Sequence, residues 1–270
     1  MLELIPLIYA LGIALIVAVT AWLVSVARRD VSIVDSLWSL MILASVLAYV
    51  GFSDFLGSRT LLVITLVGVW ALRLSLYIAV RNHGEPEDRR YQAIRANNQP
   101  FFELKSLYIV FLLQGFLAWV ISLAAVAAVS GQTPPGPLDY AGVALWLTGM
   151  IFEVVGDFQL QQFRKNRTNE NDVLDSGLWR YTRHPNYFGE AALWWGIYLI
   201  ALSAGAWWTV FAPLLMSFLL LRVSGVRLLE KDISERRPAY RQYISRTNAF
   251  FPGLPKKIAA STETTLPNKG

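Results

Sequence analysis

The sequence predicts an all-α fold: a polytopic membrane protein built as a seven-transmembrane-helix bundle. Three observations carry this. Of 270 residues, 55% are hydrophobic and only 16% are charged, against roughly 25% charged in an ordinary soluble domain. Mean hydropathy is +0.43. The apolar residues also gather into runs of about 20, the length that crosses the hydrocarbon layer of a bilayer.

The same composition excludes several classes. So apolar a chain is not disordered, and it does not read as a soluble domain. With no cysteine there is no disulfide framework, no thiolate metal site and no thiol nucleophile. Two histidines, His83 and His184, are too few for a histidine-rich cage, so no metal is expected. Ten tryptophans suit a membrane interface. A net charge of +5 could suggest nucleic acid. The excess, however, lies wholly in residues 231–270, with eight basic and three acidic side chains. A basic tail after a membrane segment faces anionic lipid more simply than nucleic acid.

Seven spans are expected, at 4–27, 33–52, 60–80, 106–130, 138–160, 187–204 and 206–226. The first is preceded by Glu3 and followed by Arg28-Arg29, and it lacks the basic start of a cleaved signal peptide. It reads as a retained helix. Near the start of the second, Asp35 and Trp38 share a face. Arg73 and Tyr77 share a face in the third, and pairing of Asp35 with Arg73 is an expected way to satisfy both charges. The following loop reads Glu85-Pro86-Glu87-Asp88-Arg89-Arg90-Tyr91, and Gln114 sits inside the fourth span.

The fifth span ends in Glu153, Asp157, Gln161 and Arg164, whose spacings place them on one helix face. Carboxylates in an apolar helix normally face a bundle interior or a wet cavity. The bland alternative is a helix-end bridge from Asp157 to Gln161 or Arg164. Next comes Gly177-Leu178-Trp179-Arg180-Tyr181-Thr182-Arg183-His184-Pro185-Asn186-Tyr187-Phe188-Gly189-Glu190. Pro185 suits the first turn of a helix. Its open N–H groups, beside Arg183 and His184, suit an anionic group. Asn186 and Glu190 enter the sixth span on one face, while Trp179 and Tyr181 also fit an interfacial belt. Ala204-Gly205-Ala206 separates the last two spans as a tight hairpin. Arg222 lies in the seventh span, where it could also snorkel to the interface, and is followed by Arg227 and Glu230. Tyr240 and Tyr243 follow in a basic amphipathic segment that could lie on a membrane or cover a nucleotide ring. Residues 255–270 read as a flexible tail.

Basic residues set the orientation. On this span assignment 22 of the 24 fall on one side, Arg59 alone falls on the other, and Arg73 lies within a span. The N-terminus is expected outside and the C-terminus in the cytoplasm. No GxGxxG or P-loop is present, so a soluble-type nucleotide site is not expected.

The run from Gly177 to Glu190 resembles the signature of bacterial membrane proteins of the steroid 5-alpha-reductase family. It is also similar to the sterol C14-reductase and isoprenylcysteine methyltransferase groups. Further shared features are Asp157, Arg164, Arg222 and the Glu230, Tyr240, Tyr243 and Pro252 tail. More loosely, Asn82-His83-Gly84-Glu85-Pro86 and Leu113-Gln114-Gly115 resemble the animal steroid reductases. The resemblance implies a single transmembrane domain over 1–254, with substrate-side helices in 1–130 and an NADPH-binding part in 138–254. It implies that Asp157, Arg164, Arg183, Asn186, Tyr187, Glu190 and Arg222 bind the cofactor, and His184, Tyr240 and Tyr243 are added to them as candidates. It also implies a bacterial inner-membrane location with the cofactor site facing the cytoplasm.

In the steroid reductases a Gln-Glu pair from the second span and a Tyr from the third hold the substrate carbonyl. Here Asp35 stands near the Glu position with no Gln beside it, and Trp70-Ala71-Leu72-Arg73 surrounds the Tyr position. Asp35, Tyr77 and Tyr91 are the catalytic candidates, with Trp38 and Gln114 as substrate contacts. The activity implied is NADPH-dependent reduction of the C=C bond of a lipophilic enone such as a 3-oxo-Δ4 steroid, in a monomer with no nucleic-acid partner. The rivals are an S-adenosylmethionine-dependent methyltransferase of lipid or prenylcysteine, and a non-enzymatic transporter or lipid-binding protein.

Overall fold

Backbone polar groups in an apolar layer must be satisfied within their own segment, and helices do this. The computed structural model is accordingly helical, with no strand among the described residues, which are 2–169, 171–223, 225–226, 230, 233 and 237–256. In chain order the helices are α1 (Leu4–Arg28), α2 (Ile33–Phe52), α3 (Thr60–Asn82), α4 (Arg89–Asn97) and α5 (Phe102–Val129). Then follow α6 (Pro137–Asn166), α7 (Pro185–Ser203), α8 (Trp207–Val223) and α9 (Ala239–Arg246). Arg227 and residues 257–270, the bulk of the expected tail, lie outside the described set.

Among the described residues, five helices (α1, α2, α3, α5 and α6) are long and apolar enough to cross a membrane. The expected sixth and seventh spans form as α7 and α8, outside that set. The helix α7 carries Asn186, Glu190 and several Trp and Tyr residues, which lower its hydropathy. The helix α8 is shorter and changes character along its length, from a 3-10 turn at Trp207–Val210 to a π turn at Leu219–Val223.

The chain divides into two compact units, residues 1–148 with 191–217, and 149–190 with 218–270. The dividing points cut α6, α7 and α8 partway along.

The first unit is organised by a seam of small residues. The helix α1 buries Ala10, Ala14, Ala18 and Ala21, one per turn. Small residues let helix backbones approach closely. Gly115 on α5 uses that space, since a Cβ there would stand 3.1 Å from the Ala18 Cβ and 3.3 Å from the Ala14 carbonyl. The hydroxyl of Ser39 on α2 donates to the Ala71 carbonyl of α3 at 3.0 Å, and Trp70 meets Trp194 edge to face at 5.1 Å. The α7–α8 hairpin closes with a Schellman motif: Gly205, at φ +83°, donates to Leu202, and Ala206 donates to Ala201.

Arg59, the lone basic residue of its loop, is fully buried. Its Nε and Nη2 donate to the two Asp139 oxygens at 2.6 and 2.9 Å. The remaining donors reach Thr133, Pro134 and Ser203. Asp139 in turn accepts from the Ser203 hydroxyl and the Gly136 N–H. A buried ion pair needs such full satisfaction to be tolerated.

In the second unit, the N-terminal turn of α7 packs on α6 through glycine. A Cβ on Gly189 would lie 2.5 Å from the Gly149 carbonyl and 2.6 Å from the Glu153 nitrogen. The ring of Phe188 meets that of Phe152 at 5.0 Å.

Candidate functional site

Two polar clusters hold most of the residues singled out in the sequence, one in each unit. In the first unit, Asp88 caps α4 by accepting from the Arg90 N–H at 2.9 Å. This cap aims the start of α4 so that Arg90 Nη2 and the Tyr91 hydroxyl both reach Asp35 near the start of α2, at 2.6 and 2.5 Å. Gln114 completes the chain, its Nε2 donating to the Tyr91 oxygen at 3.2 Å. Gln114 lies two residues beyond the π turn Leu107–Leu112, an irregularity frequent at functional sites.

Asp35, Tyr91 and Gln114 are therefore brought together as expected residues, while Arg90 was counted only as a loop charge. Asp35 finds its partners on α4, where the sequence suggested Arg73. Burial pushes the Tyr91 hydroxyl well above the usual phenol range, and the Asp35 carboxylate adds to it. Tyr91 thus stays a neutral donor. Tyr77 sits on α3 between the guanidiniums of Arg73 and Arg81, 5.7 and 5.8 Å from its ring. Trp38 is half-buried on α2, one turn beyond Asp35.

In the second unit, Gly177 at φ +59° starts a 3-10 turn directly over the Gln159 amide, whose oxygen accepts from the Leu178 N–H at 3.0 Å. Trp179 is buried and donates to the Gly156 carbonyl at 3.1 Å, so it belongs to the core and not to an interfacial belt. Arg183 is buried and almost fully committed. Its Nε and Nη2 grip Glu230 bidentately at 2.7 and 2.8 Å, and Nη1 donates to the Thr247 and Ile244 carbonyls. His184 Nε2 meets the same Glu230 oxygen at 2.9 Å, and its ring lies parallel to that of Tyr187. Burial would raise the Glu230 carboxyl, but hydrogen bonds and charge from Arg183 and His184 outweigh it and hold the group at about 2.

Tyr240 and Tyr243 are buried edge to face, and the Tyr243 hydroxyl donates to the Trp179 carbonyl. Burial raises both hydroxyls above the usual phenol range. The pair braces the 177–184 turn and does not lie flat on a membrane. Asp157, Glu153 and Glu190 are all buried. Asn186 in the first turn of α7 donates to Asp157 at 3.1 Å. Arg164, two turns beyond Asp157, and Arg222 in the π turn of α8 are exposed.

Sequence reasoning put Glu230 in a shared motif without a role, and it is the hub of this cluster. Its signal was its place ahead of Tyr240 and Tyr243 in that motif, with Asp232 and Glu235 as further acids close by. Gln159, beneath Gly177, left no such signal.

Chemically, the first cluster offers a phenol aimed by a carboxylate and an amide. The second offers buried carboxylates and an amide, with exposed guanidiniums nearby on the chain. Residues 21–247 match the family model described as protein of unknown function (DUF1295). An uncharacterized protein of Schizosaccharomyces pombe is 28% identical over 92% of the chain and 80% of its own length. The 3-oxo-5-alpha-steroid 4-dehydrogenase 1 of Rattus norvegicus is 32% identical over 44% of the chain. Its counterpart in Homo sapiens is 36% identical over 31%. The chain thus spans less than half the length of these two dehydrogenases, 46% and 31%. No solved structure matches. The chain belongs to the DUF1295 family, within the steroid 5-alpha-reductase-like group.

Proposed function

We propose that the protein is an NADPH-dependent reductase of the C=C bond of a lipophilic enone, with a 3-oxo-Δ4 steroid as the model substrate. The observation that carries this is the buried Asp157 paired with the half-buried Asn186, with the exposed Arg164 two turns further along the same helix as Asp157. A carboxylate and an amide suit a carboxamide or ribose, and a guanidinium suits a phosphate. These residues fit NADPH. S-adenosylmethionine has no phosphate for such a cation.

When bound, NADPH supplies the hydride, delivered to the β-carbon of the enone. The chain's own part is positional and electrostatic. As enolate charge develops, Tyr91 turns its single hydroxyl proton, given to Asp35 in this structure, to the ketone oxygen, while Arg90 keeps the carboxylate paired. Asp35 already accepts from both Arg90 and Tyr91, so it aims the phenol and is not itself the donor. Gln114 holds the phenol from the other side. Solvent returns the proton to the α-carbon, which completes the reduction. Asp157, Asn186, Glu190 and Tyr187 contact the cofactor, and Arg164 and Arg222 its phosphates. Arg183, His184 and Tyr243 support that site from behind, because their side chains are hydrogen-bonded within the protein, and Tyr240 packs edge to face on Tyr243 beside them. Tyr77 and Trp38 line the substrate side.

In this reading α7 and α8 complete seven spans, with the N-terminus outside and the cofactor site facing the cytoplasm of a bacterial inner membrane. The burial of Arg59 against Asp139 supports the orientation, since it neutralises the one basic loop residue on the outer side.

The test is thermal stabilisation of the detergent-purified protein by NADPH, NADH and S-adenosylmethionine, because a ligand raises stability by mass action. A rise in Tm with NADPH is expected. A rise with S-adenosylmethionine alone would replace the reductase with a methyltransferase.

A further inference from the structure

Residues 248–256 follow α9 and carry no role in the proposed reaction. Their backbone is pinned at several points. The Thr182 hydroxyl donates to the Phe250 carbonyl at 2.8 Å, the Gly253 N–H donates to Tyr181 at 3.0 Å, and the Lys256 N–H donates to Arg246 at 2.8 Å. So held, Phe250 is buried, yet Phe251 is 71% and Leu254 84% exposed. Tyr181, which receives the Gly253 bond, is also exposed, as are its neighbour Arg180 and Lys256. A tethered segment that turns two large apolar side chains outward, with cations beside them, is costly in water.

The apolar surface is continuous with helices that enter the membrane. Phe251 stands edge-on to Phe188 at 6.3 Å, and Phe188 in turn meets Phe152 of α6 at 5.0 Å. That row of rings runs outward from an apolar helix to Phe251.

We propose that residues 250–254 form a hook on the bilayer: Phe251 and Leu254 enter the leaflet at that end of α7, and Arg180 and Lys256 meet anionic headgroups. Aromatic and aliphatic side chains with flanking cations are the composition of interfacial anchors. The inference rests on the membrane-spanning reading of α6 and stands independently of the reductase chemistry.

The chain has no cysteine, so an introduced thiol is unique. Phe251→Cys and Leu254→Cys, each carrying a nitroxide, remove only exposed side chains. Asn171→Cys, in an exposed loop, serves as reference. The proteins are reconstituted in phosphatidylcholine, and in phosphatidylcholine mixed with phosphatidylglycerol. Collision with oxygen, which concentrates in lipid, is compared with collision with a water-soluble nickel chelate. The expected result is a several-fold higher oxygen-to-nickel ratio at 251 and 254 than at 171, rising further with the anionic lipid. Nickel access equal to that at 171 would place the segment in water and overturn the hook. Protection from both reagents would overturn it in favour of a protein partner or a second copy. A ratio indifferent to phosphatidylglycerol would overturn the role of Arg180 and Lys256.

Discussion

The Asp35–Arg90–Tyr91–Gln114 cluster and the Arg183–His184–Glu230 cluster are built from the same kinds of groups but differ in how far they are satisfied. In the second, the guanidinium makes four bonds to protein acceptors and both Glu230 oxygens are taken. In the first, Tyr91 accepts from Gln114 and gives its one proton to Asp35, which Arg90 also holds, so a ligand can take that proton without leaving the carboxylate unpaired. A saturated cluster fixes geometry, while one with capacity left can also meet a ligand. Charge and burial alone therefore do not mark a binding group; the count of remaining donors and acceptors does.

The sharpest way to break this contrast is Arg183→Ala. It removes the bidentate grip and leaves Glu230 partly buried without its main partner, which costs about 3–5 kcal/mol. The expected result is a large fall in Tm in detergent, with or without NADPH. Arg183→Lys should recover only part, because an ammonium cannot reproduce the planar fork. A fall in cofactor affinity at unchanged Tm would instead make Arg183 a direct ligand contact.

Tyr91→Phe tests the other side. It removes two hydrogen bonds, each worth about 1 kcal/mol, so stability falls modestly. Loss of a donor to developing oxyanion charge costs about 10²–10³ in kcat. Enone reduction followed by NADPH absorbance should show that loss with KM for NADPH unchanged. Asp35→Asn should resemble it, since it loosens the aim of the phenol. Full activity in Tyr91→Phe would leave the first cluster as a tether between α4 and α2 and nothing more.

The Glu230 carboxyl provides a pH test of saturation. Its value falls from 4.5 to about 2 on folding. A depressed acid contributes stability that is complete above the unfolded value and is lost as pH drops through the folded one. Between pH 4.5 and about 2 the wild type should lose about 2–3 kcal/mol more than Glu230→Gln. Parallel curves for the two proteins would mean that the Arg183–Glu230 pair is not closed in solution.

Much of this was legible in the chain. The five long apolar helices fall where runs of about 20 apolar residues stand, and Asp157 and Glu190 are buried because a carboxylate on an apolar helix has to find a polar interior. Contacts of high sequence separation were not legible. Arg90 meets Asp35 across 55 positions and Arg183 meets Glu230 across 47, and no local period encodes either. Arg183 shows the further point that a motif names a residue without saying which way its side chain turns. Trp179 and Tyr243 show it too: both have interfacial composition, and both are spent bracing the turn between α6 and α7.

Arg164 yields the smallest expected effect and separates most cleanly the groups that hold the protein from those that hold a ligand. It is exposed near the end of α6, so Arg164→Ala should leave Tm within about 0.5 kcal/mol of the wild type. If its guanidinium grips the 2′-phosphate, the substitution removes one charge-assisted contact, about 1.5 kcal/mol or tenfold in Kd for NADPH. NADH, which lacks that phosphate, should bind both proteins alike. Equal weakening of the two nucleotides would move Arg164 to the shared pyrophosphate. Weakening of neither would leave the phosphate to Arg222, whose Ala variant measured in parallel would then carry the selectivity. The same comparison made at Arg183 should show no selectivity, because a guanidinium already turned toward Glu230 and the 244–247 carbonyls is not directed at a ligand.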